Sequence, residues 1–261
     1  MKELIIDDIK KRLKIDINDI KDFDDGATDS LVFCVNGKYL IKTLEKNEFD
    51  VQKEFLNYYD SDFFQKIIYS NEDLLYVCYE FIEGNKIKNF SNISIIEQIY
   101  EIVSSFKKYD YDGYGYLFED HKTWQDFLSD EVEYSSQKIS GVSRSKVNKA
   151  IQIVGNYEID KYLIHGDFGT HNFVVKNGLI KIIDPMGVVG DPLYDFYFAI
   201  FSNVTIFRNM NILSILSYFG GDMKYKKALL VIVFYIRMSR SYVYDRDNFD
   251  IYLNYYNEIS L

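Results

Sequence analysis

Apolar and polar positions switch between two periods along the chain, and the switches mark its organisation. Residues 3–20 place Leu4, Ile5, Ile9 and Leu13 at helical spacing and predict a short leading helix. Residues 24–44, DDGATDSLVFCVNGKYLIKTL, hold two β-rich runs around Asn36-Gly37, a two-residue hairpin signal. In 47–64, Phe49, Phe55, Leu56 and Tyr59 return to helical spacing, and 73–84, DLLYVCYEFIEG, reads as a buried strand stopped by Gly84. The first third therefore predicts strand, strand, helix, strand. Helical patterns then take over, in 94–109, in one or two helices over 124–152, and again from Pro192 onward. One ribbon interrupts them, with strands at 173–176 and 179–183 around Asn177-Gly178. A small sheet-rich part followed by a larger helical part predicts an α+β, bilobal layout with parts 1–84 and 85–261.

Composition narrows the function classes. A net charge of −10 argues against a nucleic-acid partner, which needs a concentrated basic face. The apolar run ALLVIVFYI (228–236) is far short of the roughly 18 residues of a membrane span, so no membrane partner is expected. The charged, amphipathic N-terminal stretch does not resemble a signal peptide. Cys34 and Cys78 lie inside apolar runs and read as buried thiols of a reducing compartment. A cytoplasmic protein, acting as a monomer, is the expectation.

The second ribbon carries the chemistry. In LIHGDFGTHNFVVKNGLIKIIDPMG (163–187), two carboxylates, an amide and two of the three histidines gather at its open end. With Asn177 and Gly178 in the turn, Asn172 faces Ile183 and Asp184 follows one step on, at the same mouth. A carboxylate with an amide oxygen suits a hard cation such as Mg²⁺. Asp167, in the loop feeding the first strand, is placed as a separate base. The alternation points His171 away from Asn172, and His171 is read as structural or substrate-adjacent.

HGDFGTHN, with Asp184 twelve residues beyond Asn172, resembles the catalytic loop and metal-binding aspartate of the protein-kinase-like fold. The opening His-Gly-Asp, with GDPLYDF further on, resembles the aminoglycoside phosphotransferase family, which also covers kinases of choline, fructosamine, homoserine and methylthioribose. The resemblance implies Asp167 as catalytic base, Asn172 and Asp184 as Mg²⁺ ligands and His165 as a brace of the loop. Asp195 or Asp191 would anchor that loop from the next helix.

The N-terminal part adds independent support. Leu40, Lys42 and Leu44 share one strand face, so Lys42 is a cation on an apolar surface, which is costly without a partner. The family pairs such a lysine with a glutamate, here Glu54, and sets it on the nucleotide phosphates. Gly26, Thr28 and Ser30, in the loop 24–30, either cover the phosphates or form an ordinary turn. By resemblance the base of ATP or GTP would bond backbone groups near Glu80 and Ile82. DPM replaces Asp-Phe-Gly and there is no Ala-Pro-Glu, which argues against a loop-regulated protein kinase.

Acids and aromatics flank the ribbon at Glu119, Asp120, Trp124 and Asp126, and again at Asp245, Asp247 and Asp250. They suit a cationic acceptor or simply form a solvated face. The expectation is a Mg²⁺-dependent small-molecule kinase acting on an aminoglycoside-like acceptor. The alternatives are an endogenous metabolite as acceptor, or a silent kinase-like binding protein.

Overall fold

The leading run folds as helix α1 (Lys2–Leu13) and stops at Lys14, whose backbone is left-handed with φ 52°. In the computed structural model, which describes residues 1–23, 30–87, 93–208 and 210–261 (93 and 94 by backbone alone), the chain forms two units. One is Met1–Asn85 with Val174–Met186; the other is Lys86–Phe173 with Gly187–Leu261.

In the first unit α1 is followed by β1 (Ile20–Phe23), β2 (Val32–Val35), β3 (Tyr39–Thr43), α2 (Lys46–Tyr58), β4 (Ile67–Asn71) and β5 (Tyr76–Glu80), and the short β6 (Asn85–Lys86) falls where the chain passes from the first unit to the second. The antiparallel sheet has the order β1-β2-β3-β5-β4, so β3 is its middle strand. Lys42 pairs with Val32 on one side and Val77 on the other, which excludes an edge position for it. The first hairpin differs from expectation by one residue. Val35 pairs with Tyr39, leaving a three-residue turn in which Asn36 and Gly37 both take positive φ. Strands β1 and β4 escape the sequence pattern. β1 is a mostly exposed edge of only four residues, too short to show a period.

Ile5 and Ile9 of α1 pack onto Phe33, Val35, Ile41, Tyr76 and Cys78 to form this unit's core. Both cysteines are free and buried, and burial pushes the Cys78 thiol up to about 12. Polar ties also join α1 to the sheet, Lys2 to Asp22 among them. Asp8 of α1 accepts hydrogen bonds from Asn71 Nδ2 (2.6 Å) and the Tyr76 hydroxyl (2.7 Å). Burial raises the Asp8 carboxyl, but these bonds and Arg12 outweigh it and the pKa is lowered. A lowered folded pKa contributes stability that is present above the unfolded value of about 3.9 and is lost as pH falls. Asp8→Asn should therefore destabilise by about 2 kcal/mol at neutral pH. The gap to wild type should close as pH drops below 4 (about the unfolded pKa). A gap in thermal melts that is constant with pH would contradict this origin.

The second unit contains α3 (Ile93–Ser104), β7 (Gly115–Tyr116), α4 (Trp124–Ser136), α5 (Ser145–Val154) and β8 (Tyr162–Ile164). The hairpin β9 (Phe173–Lys176) and β10 (Leu179–Ile182) leaves it at Phe173 and belongs mainly to the first unit. Then come β11 (Val188–Gly190), α6 (Pro192–Ile200), α7 (Val204–Phe207), α8 (Ile212–Leu216), α9 (Met223–Tyr244) and α10 (Phe249–Glu258). Helix α9 is buried almost all round from Ala228 to Ser239, with α4, α5, α6 and α10 packed about it. This explains the ALLVIVFYI run as the centre of a helical core. Among the described residues no helix is long and apolar enough to cross a membrane.

Candidate active site

The loop 165–172 joins β8 to β9, and its backbone is fastened from both ends of α6. Asp195, fully buried in the first turn of α6, accepts the amide of His165 at 2.7 Å and that of Gly166 at 3.1 Å. Gly166 takes φ 84°, a left-handed bend that favours glycine. Burial pushes the Asp195 carboxyl up to about 8, against the two amides that favour its anion. Beyond the other end of the same helix, the Ser202 hydroxyl accepts the Thr170 amide at 2.9 Å. Asp191, the alternative anchor, instead caps α6 through Leu193 N and accepts the Tyr225 hydroxyl at 2.6 Å.

His165 is buried against Phe168, and its Nδ1 accepts the Asp167 amide at 3.2 Å. Asp167 is gripped at both ends of its carboxylate. Arg240 Nη1 of α9 donates to Oδ1 at 2.5 Å, and His171 Nε2 lies 2.9 Å from Oδ2. Burial would raise this carboxyl, yet the His171 hydrogen bond and the Arg240 charge hold it well below the usual carboxylate range. Asn172 is buried, and its Nδ2 donates to the Asp167 carbonyl at 2.9 Å. That bond assigns the amide orientation and leaves Oδ1 as its acceptor face.

In the other unit, Lys42 Nζ bonds both oxygens of Asp184, at 2.8 and 2.9 Å. Asp184 holds a left-handed backbone with φ 61°, a conformation seldom adopted outside glycine and asparagine and often found at functional sites. The α2 side chain on this carboxylate is Gln52, whose Nε2 donates to Asp184 Oδ1 at 2.7 Å and whose Oε1 accepts the Tyr79 hydroxyl. Gln52 stands three and four residues before Phe55 and Leu56, in the buried stripe of α2, whereas Glu54 is on its exposed side. Val32, Leu40, Tyr79 and Lys42 line a cavity of about 110 Å³ beside Asp184.

Of the other expected nucleotide contacts, Gly26 and Thr28 lie outside the described residues, and Ser30 stands just before β2. Glu80 is less open than expected. Its amide bonds the Lys66 carbonyl and its own carbonyl accepts Gln65 Nε2, each at 2.9 Å. Only the second lone pair of that carbonyl remains for a base edge, with Ile82 next along the chain.

Asn172 in the second unit offers an amide oxygen and Asp184 in the first a carboxylate, donor types that suit a hard oxygen-seeking cation. Among the described residues no group of three or more His, Cys, Asp or Glu side chains converges as a metal centre. Three side chains were not foreseen: Gln52 beside Asp184 in the first unit, and Ser202 and Arg240 on the loop 165–172 in the second.

The chain has the protein-kinase-like fold. It is similar over 98% of its length, and 97% of the other chain, to the GDP complex of aminoglycoside 2'-phosphotransferase-IIIa, with TM-score 0.60 and 13% identity. It is similar to ADP-bound aminoglycoside phosphotransferase APH(2'')-Ib, with TM-score 0.57 and 14% identity over 100% and 98% of the two chains. A choline kinase from Streptococcus pneumoniae matches with TM-score 0.58 and 15% identity over 99% and 97%. No protein-family model matches the chain, and no curated protein matches it by sequence.

Proposed function

We propose that the protein is a small-molecule kinase that transfers the γ-phosphoryl group of ATP or GTP to a hydroxyl of an aminoglycoside-like, cationic acceptor. The observation that carries this reading is the loop 165–172, in which Asp167 and Asn172 are tied to each other and to α6. The likeness to nucleotide complexes of phosphotransferases supports it. Asp167 orients the acceptor hydroxyl and takes its proton, while the acceptor oxygen–phosphorus bond forms and the bond to the nucleoside diphosphate breaks. Lys42 would hold the nucleotide phosphates, and Asn172 and Asp184 are the residues that would ligate Mg²⁺, whose chemistry when bound is neutralisation of phosphate charge. Positioning supplies most of the rate gain, because the transition state is loose. The likeness to choline kinase supports a second reading with the same chemistry, in which the acceptor is an endogenous quaternary amine. The two free buried thiols support a cytoplasmic setting.

The nucleotide half is tested by calorimetric titration of ATP with and without Mg²⁺. Asp184→Asn keeps the left-handed backbone tolerable and should weaken Mg-ATP binding by about tenfold or more, with loss of its Mg²⁺ dependence. Unchanged affinity and metal dependence in this variant would count against Asp184 as a ligand.

A further inference from the structure

We infer that Arg240 is the positioning residue of the transfer step, fixing one carboxylate oxygen of Asp167 so that the other is presented to the acceptor hydroxyl. The inference rests on the reading of Asp167 given above. It does not follow from the loop motif, because Arg240 lies in α9, 73 residues further along the chain.

The geometry makes the contact specific. Arg240 Nη1 meets Asp167 Oδ1 at 2.5 Å, with the two side chains 30% and 23% exposed. A charge pair so largely removed from water holds its geometry more firmly than a surface pair. The guanidinium also packs on the Phe198 ring, 4.7 Å from its centroid. Arg237, one turn earlier, packs on the same ring at 4.8 Å and donates to the carbonyls of Phe201 and Ser202 at 3.3 Å. Ser202 in turn holds the Thr170 amide of the catalytic loop. Two like charges on one ring repel, and Asp167 is the anion that compensates Arg240. Helix α9 thus fixes the loop backbone through Arg237 and Ser202, and the reacting carboxylate through Arg240.

The oxygens of Asp167 are consequently unequal. Oδ1 is committed to Arg240. Oδ2 meets His171 Nε2 at 2.9 Å and Asn172 Nδ2 at 3.4 Å, and with the His171 side chain 51% exposed an incoming hydroxyl would share or displace the histidine contact on this oxygen. Rotation of the carboxylate, which would exchange the two oxygens, breaks the Arg240 bond. A bidentate-capable guanidinium enforces this better than an ammonium on a flexible stem.

The test uses the full chain with Mg-ATP and reads its slow nucleotide hydrolysis, in which water takes the acceptor's place, beside transfer to any acceptor. Arg240→Met should lower kcat roughly 10- to 100-fold with nucleotide KM held within about twofold. Added guanidinium ion should restore part of the loss, and Arg240→Lys should restore less. Thermal melts of Arg240→Met, Asp167→Asn and the double variant form a cycle, in which the pair predicts strongly non-additive changes. A kcat within about twofold of wild type, or additive melts, overturns the Arg240 assignment. A wild-type chain that neither hydrolyses nucleotide nor transfers phosphate instead removes the reading on which the assignment rests. The melts then still show whether the pair exists.

Discussion

Asp167→Asn should reduce phosphoryl transfer by about 10³-fold or more while leaving Mg-nucleotide affinity within about twofold. The substitution keeps the shape of the side chain and one hydrogen-bond acceptor for Arg240, but removes the anion proposed to take the acceptor's proton. Two features make the expected effect large. The His171 hydrogen bond and the Arg240 charge hold the carboxyl well below the usual carboxylate range despite its burial, so the substitution removes a charge and not only a proton-accepting atom. Its backbone is also fixed, through Asn172 at the Asp167 carbonyl and His165 at its amide. Steady-state kinetics with separate nucleotide titrations decide the matter. A fall in kcat of less than about tenfold would reject Asp167 as the base.

Asp195→Ala should be the most destabilising single change in the second unit, by about 3–5 kcal/mol in urea unfolding. The carboxylate is fully buried and answers two amides of the loop, those of His165 and Gly166. Removing it strands both donors away from water and leaves a small cavity behind. Asp195→Asn keeps one acceptor oxygen and should fall between wild type and alanine. Activity should fall with the alanine variant even below its melting temperature, because the segment that carries Asp167 loses its anchor. A loss of less than 1 kcal/mol (about the net worth of one hydrogen bond) would show that the loop is held by other contacts.

The legible part of this protein was the part written locally. Asn177 and Gly178 both take positive φ, as the hairpin signal required, and His165, Asp167, Asn172 and Asp184 are legible as a group because twenty residues contain them. Lys42 stood out because an ammonium on an apolar strand face demands a partner. What its partner is could not be read from spacing. The carboxylate comes from Asp184, 142 residues away, and α2 contributes the neutral Gln52. Gln52 did leave a signal, a polar residue inside the stripe of Phe49, Phe55 and Leu56, where burial without a hydrogen bond is costly. Arg237 and Arg240 left a similar one, two guanidiniums following the apolar run of α9. Nothing local says that one of them meets Asp167. The strands β7, β8 and β11 were invisible for a simpler reason: segments of two or three residues have no period to detect.

Transfer of phosphate to a small hydroxylated amine is tested most directly by incubating the purified chain and its Asp167→Asn variant with Mg²⁺ and γ-labelled ATP or GTP. The acceptors are a panel of aminoglycosides, choline and amino sugars, and labelled products are read by mass. The wild-type chain should give an O-phosphorylated product from at least one cationic acceptor, and the variant none. Labelled product from no acceptor, with the nucleotide bound, would contradict the proposed transfer.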